Sequence, residues 1–344
     1  MKNPGARSGI LAGGNWIVDK LKLIDVYPQE DALANIISES IGNGGGPFNV
    51  LMDLVRLEAD FRLAGIGLVG ADADGDWIHK QCTVHGIDMS QVRTHPTAHT
   101  SYTDVMTVKG TGRRTFFHQR GANAFLDAEH FDFTLVDAKI FHLGYLLLLD
   151  RLDQSDAEFG TVAARVLAKA RGAGYRTSVD LVSEDTRRFP QIVLPALRHV
   201  DYCILNEFEI ERTTGIETRH GAVIDLEALK SASRKLIEAG VREWVVVHFP
   251  EGACALGKDG NLKVQGSVCV PQSRIVSTVG AGDAFAAGLL YGLHEDIPMD
   301  TALQYGVASA ASCLSGTGAS DGIRNLVDCL KLVKEFGTRK FDAA

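Results

Sequence analysis

The sequence predicts an α/β fold, a three-layer α/β/α sandwich with a mostly parallel central sheet and a small β-sheet lid. Two observations support this prediction. Short apolar runs alternate with amphipathic helical patterns through most of the 344 residues, which is typical of a parallel sheet covered on both faces. Between residues 101 and 118, however, two β-prone segments follow each other without an intervening helix. We therefore expect one α/β domain, residues 1–344, that carries a separate small sheet.

The strands of the central sheet are predicted from short runs of apolar residues, which are typical of strands buried on both faces. They are residues 66–69, 139–143, 176–180, 202–205 and 244–248. The helices are predicted where apolar residues recur at three- and four-residue spacing, because one helix face can then pack on the sheet. They are residues 156–171, 224–239 and 284–293.

The segment that breaks the alternation predicts a β-hairpin. Residues 101–108 and 113–118 are β-prone, and the sequence Lys109-Gly110-Thr111-Gly112 between them is a turn signal. Together with residues 16–25, this hairpin is expected to form a lid that excludes water when it closes. Alternatively, the hairpin is an antiparallel edge of the main sheet. The expected boundaries are about 15–48 and 96–122 for the lid, and about 49–95 and 123–335 for the α/β body.

Composition and charge limit the classes of function. The net charge of −8, with no basic cluster beyond the pairs Arg113-Arg114 and Arg187-Arg188, argues against a nucleic-acid partner. No segment approaches the ~20 apolar residues of a membrane span, and the first residues lack the pattern of a secretory signal. We therefore expect a soluble, cytoplasmic protein without a membrane partner. The six cysteines have neither metal-ligand nor disulfide spacing, so we expect them to be buried apolar residues.

Two further motifs imitate known sites. Residues 65–70 satisfy Gly-x-Gly-x-x-Gly, but they lie in a strand-like run instead of opening a helix, which disfavours a dinucleotide site. Asp72, Asp74 and Asp76 imitate a calcium loop, but Trp77 stands where that loop needs glycine. An oxidoreductase that uses a dinucleotide is therefore a weak alternative, and a calcium-binding helix pair is rejected.

The most informative motif is the glycine-rich turn of residues 278–283, Thr-Val-Gly-Ala-Gly-Asp, which opens an apolar helix. Glycines let the backbone approach a ligand closely, and the free N–H groups of a helix start favour an anion such as phosphate. Asp283 would lie beside that anion, where a carboxylate can accept the proton of an attacking hydroxyl. The residues alone leave a second interpretation equally open, in which Asp283 caps the helix and the glycines only shape the turn.

The segment Thr-x-Gly-Ala-Gly-Asp-x-Phe that begins at Thr278 resembles the C-terminal signature of the ribokinase family, also called phosphofructokinase B-type (pfkB) carbohydrate kinases. The resemblance extends over nearly the whole chain and implies a ribokinase-like fold. It implies that Asp283 is the catalytic base. It also implies that the amides of Gly280, Ala281 and Gly282 form an anion hole for the transferring phosphate.

The N-terminal part of the chain resembles the family's substrate-binding segment. The sequence Gly-Gly-Gly-Pro-Phe-Asn is similar to the family's Gly-Gly-x-x-x-Asn, which implies that Gly45, Gly46 and Asn49 contact the sugar. Asp19 matches a family aspartate that hydrogen-bonds substrate hydroxyls; alternatively, it is a solvated loop residue. Arg120 is a candidate for binding substrate oxygens, although an arginine in a turn more often pairs with a surface carboxylate.

The resemblance also implies a nucleotide and Mg²⁺. Asn206 and Glu209 match the family's Asn-x-x-Glu motif, so Asn206 is expected to bind the nucleotide and Glu209 to bind Mg²⁺ through water. Hard oxygen ligands suit this cation. Alternatively, both residues only begin a helix, where acidic side chains are favoured. The remaining residues expected at the nucleotide are Thr278, Gly252, Gly316 and Gly318.

The expected function is ATP-dependent phosphorylation of a hydroxymethyl group of a sugar or sugar-like molecule, by a homodimer that associates through its lid. Fructose or a related ketose leads among the acceptors, with ribose, ketodeoxygluconate and nucleosides open. A K⁺ requirement stays open because Ser277 stands where the family usually has aspartate. A nucleoside kinase of the same fold and an inactive sugar- or nucleotide-binding regulator are the alternatives.

Overall fold

The residues described by the computed structural model, 7–184 and 186–341, form seventeen strands and nine α-helices. The strands are β1 (Ile10–Gly14), β2 (Ile17–Ile24), β3 (Ile36–Gly44), β4 (Leu63–Gly70), β5 (Asp88–His95), β6 (Ser101–Val108), β7 (Arg114–Gln119), β8 (Ile140–Leu146), β9 (Ser155–Asp156), β10 (Gly160–Thr161), β11 (Arg176–Leu181), β12 (Tyr202–Asn206), β13 (Arg219–His220), β14 (Val223–Ile224), β15 (Trp244–Phe249), β16 (Gly252–Gly257) and β17 (Leu262–Gly266). The helices are α1 (Gly46–Arg56), α2 (Ala73–Val84), α3 (Val162–Gly172), α4 (Phe189–Leu197), α5 (Glu207–Thr214), α6 (Leu226–Ala239), α7 (Ala281–His294), α8 (Met299–Cys313) and α9 (Leu326–Phe336).

Nine strands form the central sheet, in the order β17-β16-β15-β12-β11-β8-β1-β4-β5. The strands from β15 to β5 in this order are parallel, and β16 and β17 add an antiparallel edge. Apolar side chains project from both faces of the sheet. On β1, Leu11 belongs to one buried cluster while Ile10 and Ala12 belong to the other. This alternation confirms the predicted layer of helices on each side.

A separate four-stranded sheet lies outside the central sheet, in the order β3-β2-β6-β7. Strands β6 and β7 form the predicted hairpin, and β2 joins it by pairing parallel to β6. The alternative, in which this hairpin is an edge of the main sheet, is wrong. Strand β3 pairs antiparallel to β2 and leads directly into α1, so the small sheet is tied to the α/β body at that point.

Two local predictions were wrong, and the structure explains a third feature, the calcium-like segment. The helix predicted from residue 156 begins at Val162, because β9 and β10 pair with each other and the Thr161 hydroxyl caps α3. Among the cysteines, Cys269 is exposed, whereas the other five are buried. The carboxylate of Asp72, the first residue of the calcium-like segment, accepts hydrogen bonds from the Gly75 and Thr100 amides, so it caps α2.

None of the helices in the described parts of the chain is long and apolar enough to cross a membrane.

Candidate active site

Polar side chains from four parallel strands meet at the carboxyl edge of the central sheet. Tyr145, Asp180, Asn206 and His248 lie near the carboxyl ends of β8, β11, β12 and β15 in that order. In open α/β sheets this edge is where ligands bind. The amino terminus of α7 lies beside these residues, since the Asp283 carboxylate accepts a hydrogen bond from Tyr145 and Gly282 lies against His248.

The amino terminus of α7 carries no side-chain cap. Its capping residue, Gly280, adopts the left-handed conformation with φ 75°, and a Cβ there would overlap the carbonyl oxygen of Ala319. Only glycine fits such a position without strain. No side chain satisfies the first amides of the helix, and the Ala281 N–H makes only a long bond of 3.4 Å to the Thr278 carbonyl. Most of their hydrogen-bonding capacity and the helix dipole are therefore left for an anion.

Asp283 does not cap α7, although it lies in the first turn. Its carboxylate accepts hydrogen bonds from the Asn49 side-chain amide at 2.8 Å and from the Tyr145 hydroxyl at 2.7 Å. The side chain is 9% exposed. Burial raises the pKa of Asp283 to about 6, and the bonds from Tyr145 and Asn49 act in the opposite direction. The carboxylate is therefore ionised at neutral pH and can accept a proton.

A chain of hydrogen bonds fixes the residues that hold Asp283. The Asn43 amide donates to Asn49 Oδ1 at 2.6 Å and to the Ser320 hydroxyl at 2.9 Å. With its oxygen engaged, Asn49 directs its Nδ2 hydrogens towards Asp283. The backbone N–H of Tyr145 donates to the Asn15 side chain at 2.6 Å. These contacts position both donors before any substrate binds.

Asp19 lies on β2, opposite Gly42 on β3, and its carboxylate lies against Gly44 two residues along that strand. A Cβ at Gly44 would overlap the Asp19 carboxylate, so glycine is required for this strand pairing. Burial, and then the charge of Asp283, raise the pKa of Asp19 to about 8. When two carboxyl groups share a site, one of them keeps its proton. Asp19 is that group at neutral pH, so it can donate as well as accept hydrogen bonds, and it is not a solvated loop residue.

The glycines that were expected to contact the sugar are needed for close backbone packing. Gly45 has φ 82°, and a Cβ there would overlap the carbonyl oxygen of Asn15. A Cβ at Gly46 would come within 3.0 Å of the backbone of Gly144. These contacts hold the amino terminus of α1, and with it Asn49, close to the end of β8.

Asn206 and Glu209 form a capping box at the amino terminus of α5. The Asn206 side chain accepts from the Glu209 N–H, and the Glu209 carboxylate accepts from the Asn206 N–H, both at 2.9 Å. The Ser183 hydroxyl donates to Glu209 at 2.7 Å. Glu209 is 3% exposed, and burial raises its pKa to about 7. The motif therefore does begin a helix, but its carboxylate is buried and not on the surface.

Asp180 is a second buried acid at this edge, with its carboxylate accepting the Leu181 N–H at 2.7 Å. Burial, followed by the charges of Glu209 and Asp283, raises its pKa far above the ordinary range. Within the parts of the chain that the structure describes, no group of three or more acidic, histidine or cysteine side chains is arranged to hold a metal ion. A divalent cation here would need most of its ligands from a bound nucleotide and from water.

A cavity of about 560 Å³ opens beside the start of α7. It is of the size typical for small-molecule ligands. The first turn of α7 lines it through Ala281 and Gly282, and apolar side chains, among them Val268, Val307 and Leu314, form much of its remaining wall. His248 also lines it, and burial lowers the pKa of this imidazole to about 4, so it is neutral at physiological pH.

Three of the residues expected at the nucleotide, Asn206, Gly252 and Thr278, line this cavity. Gly316 and Gly318 do not. A Cβ at Gly316 would overlap the Gly322 N–H, and the Gly318 N–H donates to the Asp321 carboxylate at 3.0 Å. Both glycines thus serve the turn between α8 and α9, although Leu314, just before that turn, lines the cavity.

The model of the pfkB family carbohydrate kinases matches residues 15–326, nine-tenths of the sequence. This chain belongs to the pfkB family.

Curated members of the pfkB family resemble the chain over most of its length. The 5-dehydro-2-deoxygluconokinase of Geobacillus kaustophilus (strain HTA426) is 25% identical over 85% of this chain and 84% of its own. The ketohexokinase of Mus musculus is 26% identical over 91% of this chain and 98% of its own. These relatives are named carbohydrate kinases, and this chain is an enzyme of the same kind.

Solved pfkB-family structures share the fold. Arabidopsis thaliana ribokinase, solved with ribose and ATP, superposes with a TM-score of 0.77 at 22% identity and covers 96% of this chain and 99% of its own. The nucleoside kinase of Methanocaldococcus jannaschii gives a TM-score of 0.72 at 17% identity, over 96% of this chain and 100% of its own. A ribokinase-like fold is thus confirmed, but the fold alone does not select the acceptor.

In this pfkB-family chain, Arg120 pairs with two carboxylates. Its guanidinium lies 3.2 Å from Asp150 and 3.4 Å from Glu184. The same Glu184 also accepts from Arg188 at 2.8 Å. The carboxylate pairing considered from the sequence is therefore present, and contact of Arg120 with substrate oxygens stays a prediction.

Several residues of the site were not predicted from the sequence, among them Tyr145, Asp180 and Asn43. Tyr145 and Asp180 had a usable signal, because each lies at or beside the carboxyl end of a predicted strand, where ligands collect in α/β proteins. Asn43 was harder to predict as a site residue, because the sequence shows only that it precedes Gly44, Gly45 and Gly46. Its role depends on long-range contacts with Asn49 and Ser320.

Proposed function

We propose that the chain transfers the γ-phosphoryl group of ATP to a hydroxymethyl group of a sugar or sugar-like small molecule. One observation carries the proposal. An ionised carboxylate, Asp283, lies in the first turn of a helix whose amino terminus is uncapped and borders a nucleotide-sized cavity. The same turn thus supplies an anion-binding site for the transferring phosphoryl group and a proton acceptor for the attacking hydroxyl.

The residues fit a nucleotide whose phosphates lie at the start of α7. Gly280, where any Cβ would overlap the backbone of Ala319, forms a cradle with the amides of Ala281 and Gly282. These amides stabilise negative charge on the transferring group. Thr278, Asn206 and Gly252 also line the cavity, and the apolar side chains of its wall suit a purine base.

Mg²⁺ fits as a cation carried mainly by the nucleotide, with Glu209 reached through water and Asp180 nearby. When bound, it neutralises charge on the phosphates. Protein donors already engage both Glu209 oxygens, two at Oε1 and one at Oε2, which favours contact with the cation through water.

The sugar lies between Asp19, Asn49 and the small sheet, and presents its hydroxyl to Asp283. As the new O–P bond forms, the hydroxyl proton becomes acidic and passes to the Asp283 carboxylate. Tyr145 and Asn49 hold that carboxylate in place. The protonated carboxyl of Asp19 hydrogen-bonds neighbouring hydroxyls of the sugar and orients it.

The small sheet acts as a lid over this site and as a dimer contact. Its outer face exposes apolar side chains, including Ile41 at 55% and Phe117 at 50%, and its edge strands β3 and β7 lack a neighbour on one side among the described residues. Exposed apolar patches and open strand edges are features of protein interfaces. A second copy of the chain would cover both.

The acceptor is tested by a coupled ADP-release screen over ketoses, aldoses, sugar acids and nucleosides, with and without K⁺, and with mass spectrometry of the products. We expect ATP-dependent phosphorylation of a primary hydroxyl of at least one sugar. If nucleosides alone react, the chain is a nucleoside kinase of the same fold. If the protein binds ATP but phosphorylates no acceptor in the panel, the inactive regulator is favoured and the proposal fails.

A further inference from the structure

A second cavity, of about 330 Å³, lies between the small sheet and the loop that precedes α7. Strand register places Ser40 opposite Leu21, Leu23 opposite Thr107, and Thr107 opposite Arg114, so these side chains share one face of the sheet. From the body, Val276, Ser277 and Thr317 complete the wall. Thr278, the residue after Ser277, lines the nucleotide-sized cavity. The two cavities therefore adjoin the same loop.

Arg114 is the cationic group of this second cavity. It is half-buried, and its guanidinium donates to the Ser277 hydroxyl at 2.9 Å. Among the described residues, no carboxylate forms an ion pair with it. Burial lowers the pKa of Arg114, because no anion compensates the lost hydration. A guanidinium has five N–H donors, so most of its capacity is left for a ligand.

The other charged residues at this cavity do not neutralise Arg114. Lys22 pairs with Asp104. Glu39 is exposed and lies opposite Lys22 in the β2–β3 pairing. Successive side chains of a strand point to opposite faces, so Glu39, between Ser38 and Ser40, belongs to the other face of the sheet. The inner face thus combines one cation with several hydroxyl groups.

We propose that this cavity binds a phosphate group, either as free phosphate or as the phosphoryl group of a small phosphorylated molecule. The planar fork of an arginine matches the spacing of two phosphate oxygens, and hydroxyls supply further donors. The hydroxyls in reach are those of Ser38, Ser40, Thr107, Ser277 and Thr317. The volume leaves room for more than the phosphate itself.

A ligand in this cavity would contact the loop that forms the start of α7. The Ser277 hydroxyl accepts from the Val279 N–H at 3.1 Å as well as from Arg114. Gly280 follows directly. Binding at Arg114 thus links the small sheet to the turn that precedes the anion hole, without using any residue of the proposed transfer site.

The test is calorimetric titration of inorganic phosphate into the purified full-length protein saturated with Mg²⁺ and a non-hydrolysable ATP analogue, which occupies the start of α7. We expect one binding site with a Kd on the order of 1 mM, a weak affinity of about −4 kcal/mol. Arg114→Gln should weaken binding at least about tenfold, and Arg114→Lys should weaken it less. Arg113→Gln, at the exposed neighbouring arginine of the same hairpin, should bind phosphate as the wild type does.

Titration of sugar phosphates, in parallel with phosphate, distinguishes the two sources of the group. Tighter binding of a sugar phosphate, lost in Arg114→Gln, would identify a phosphorylated molecule; tighter binding of phosphate would identify the free ion. Absence of phosphate binding to the wild type, or equal binding to Arg114→Gln, would refute the site and leave Arg114 as a tether to Ser277. Binding of the ATP analogue is measured first, so its failure would count against the proposed function alone.

Discussion

Two helices begin at the wall of the same cavity, and they treat their first amides in opposite ways. At α5, the side chain of Asn206 accepts the third amide, and Glu209 at that third position returns a carboxylate to the Asn206 N–H. At α7, the corresponding positions are Gly280 and Asp283. Gly280 has no side chain to offer, and Asp283 bonds Asn49 and Tyr145 instead of its own helix.

A helix terminus can therefore serve either the stability of the fold or the binding of a ligand. A capped terminus has satisfied its orphan donors locally and gains stability from them. An uncapped terminus keeps those donors for a ligand, and the acid in its first turn is free to act as a base. Substitutions at the two termini should therefore differ in effect, and the largest loss of activity is expected at Gly280.

Gly280→Ala should abolish most of the transfer activity. The left-handed φ and the overlap with Ala319 force the loop to move, and loss of an aligned oxyanion donor costs roughly 10²- to 10³-fold in kcat. Steady-state kinetics at saturating ATP would measure it. Gly86→Ala is the matched control, because Gly86 has the same φ of 75° with open space around it. Equal, small losses of kcat in both variants would show that transfer does not depend on the backbone conformation at Gly280.

The pH dependence of kcat/KM should report the ionisation of Asp283. Its pKa is raised to about 6, and only the deprotonated carboxylate can accept a proton. Activity should therefore be level between this pH and about 8, near which Asp19 loses its proton, and should fall about tenfold per unit below the pKa of Asp283. The measurement needs saturating Mg²⁺ and a check that enzyme held at low pH regains full activity at pH 7.5. Undiminished activity at pH 5 would contradict the assignment.

Tyr145→Phe should move the acidic limb of that profile to higher pH. The lost hydroxyl donates to the charged form of Asp283, so its removal raises the pKa of this carboxyl further. We expect a loss of roughly threefold to tenfold in kcat/KM near neutral pH, because a rise of up to one pKa unit removes up to about tenfold of the ionised form, and partial recovery at higher pH. Tyr291→Phe is the control, because Tyr291 lies on α7, the helix that carries Asp283. An unshifted limb in Tyr145→Phe would leave the tyrosine a packing role only.

Asn206→Ala should mainly lower stability. Removing a helix cap costs about 0.5–2 kcal/mol of the free energy of unfolding, measurable by urea denaturation. Asp225 caps α6, because its carboxylate accepts from the Ala228 N–H at 2.9 Å. Asp225→Ala should therefore lower the free energy of unfolding by a similar amount. Because Asn206 lines the nucleotide-sized cavity, its variant should also raise the KM for ATP, unlike Asp225→Ala. Identical kinetics in both variants would argue against a nucleotide at Asn206.

Much of the fold could be predicted from periodicity, because strands buried on both faces and helices with one apolar face leave strong patterns. The five predicted strands lie within β4, β8, β11, β12 and β15, apart from a one-residue difference at Lys139. The start of α3 was misplaced because the β9–β10 hairpin is only two residues long on each side, too short for a periodic signal.

The site was predictable where a motif is local and not where it depends on distant contacts. The turn at Gly280 is formed by consecutive residues, so its glycines are readable directly. Whether Asp283 caps the helix or faces a cleft depends on Asn49 and Tyr145, which are more than a hundred residues away in sequence. Arg120 was undecided for the same reason, since Asp150 and Glu184 settle its partners.

The most direct test of the account is a comparison of turnover and nucleotide binding in Asp283→Asn. The variant keeps the shape of the side chain but cannot accept the proton, so kcat should fall by roughly 10²-fold or more. Its affinity for Mg²⁺ and the ATP analogue and its unfolding temperature should stay close to those of the wild type. Wild-type turnover in a correctly folded Asp283→Asn protein would contradict the central claim.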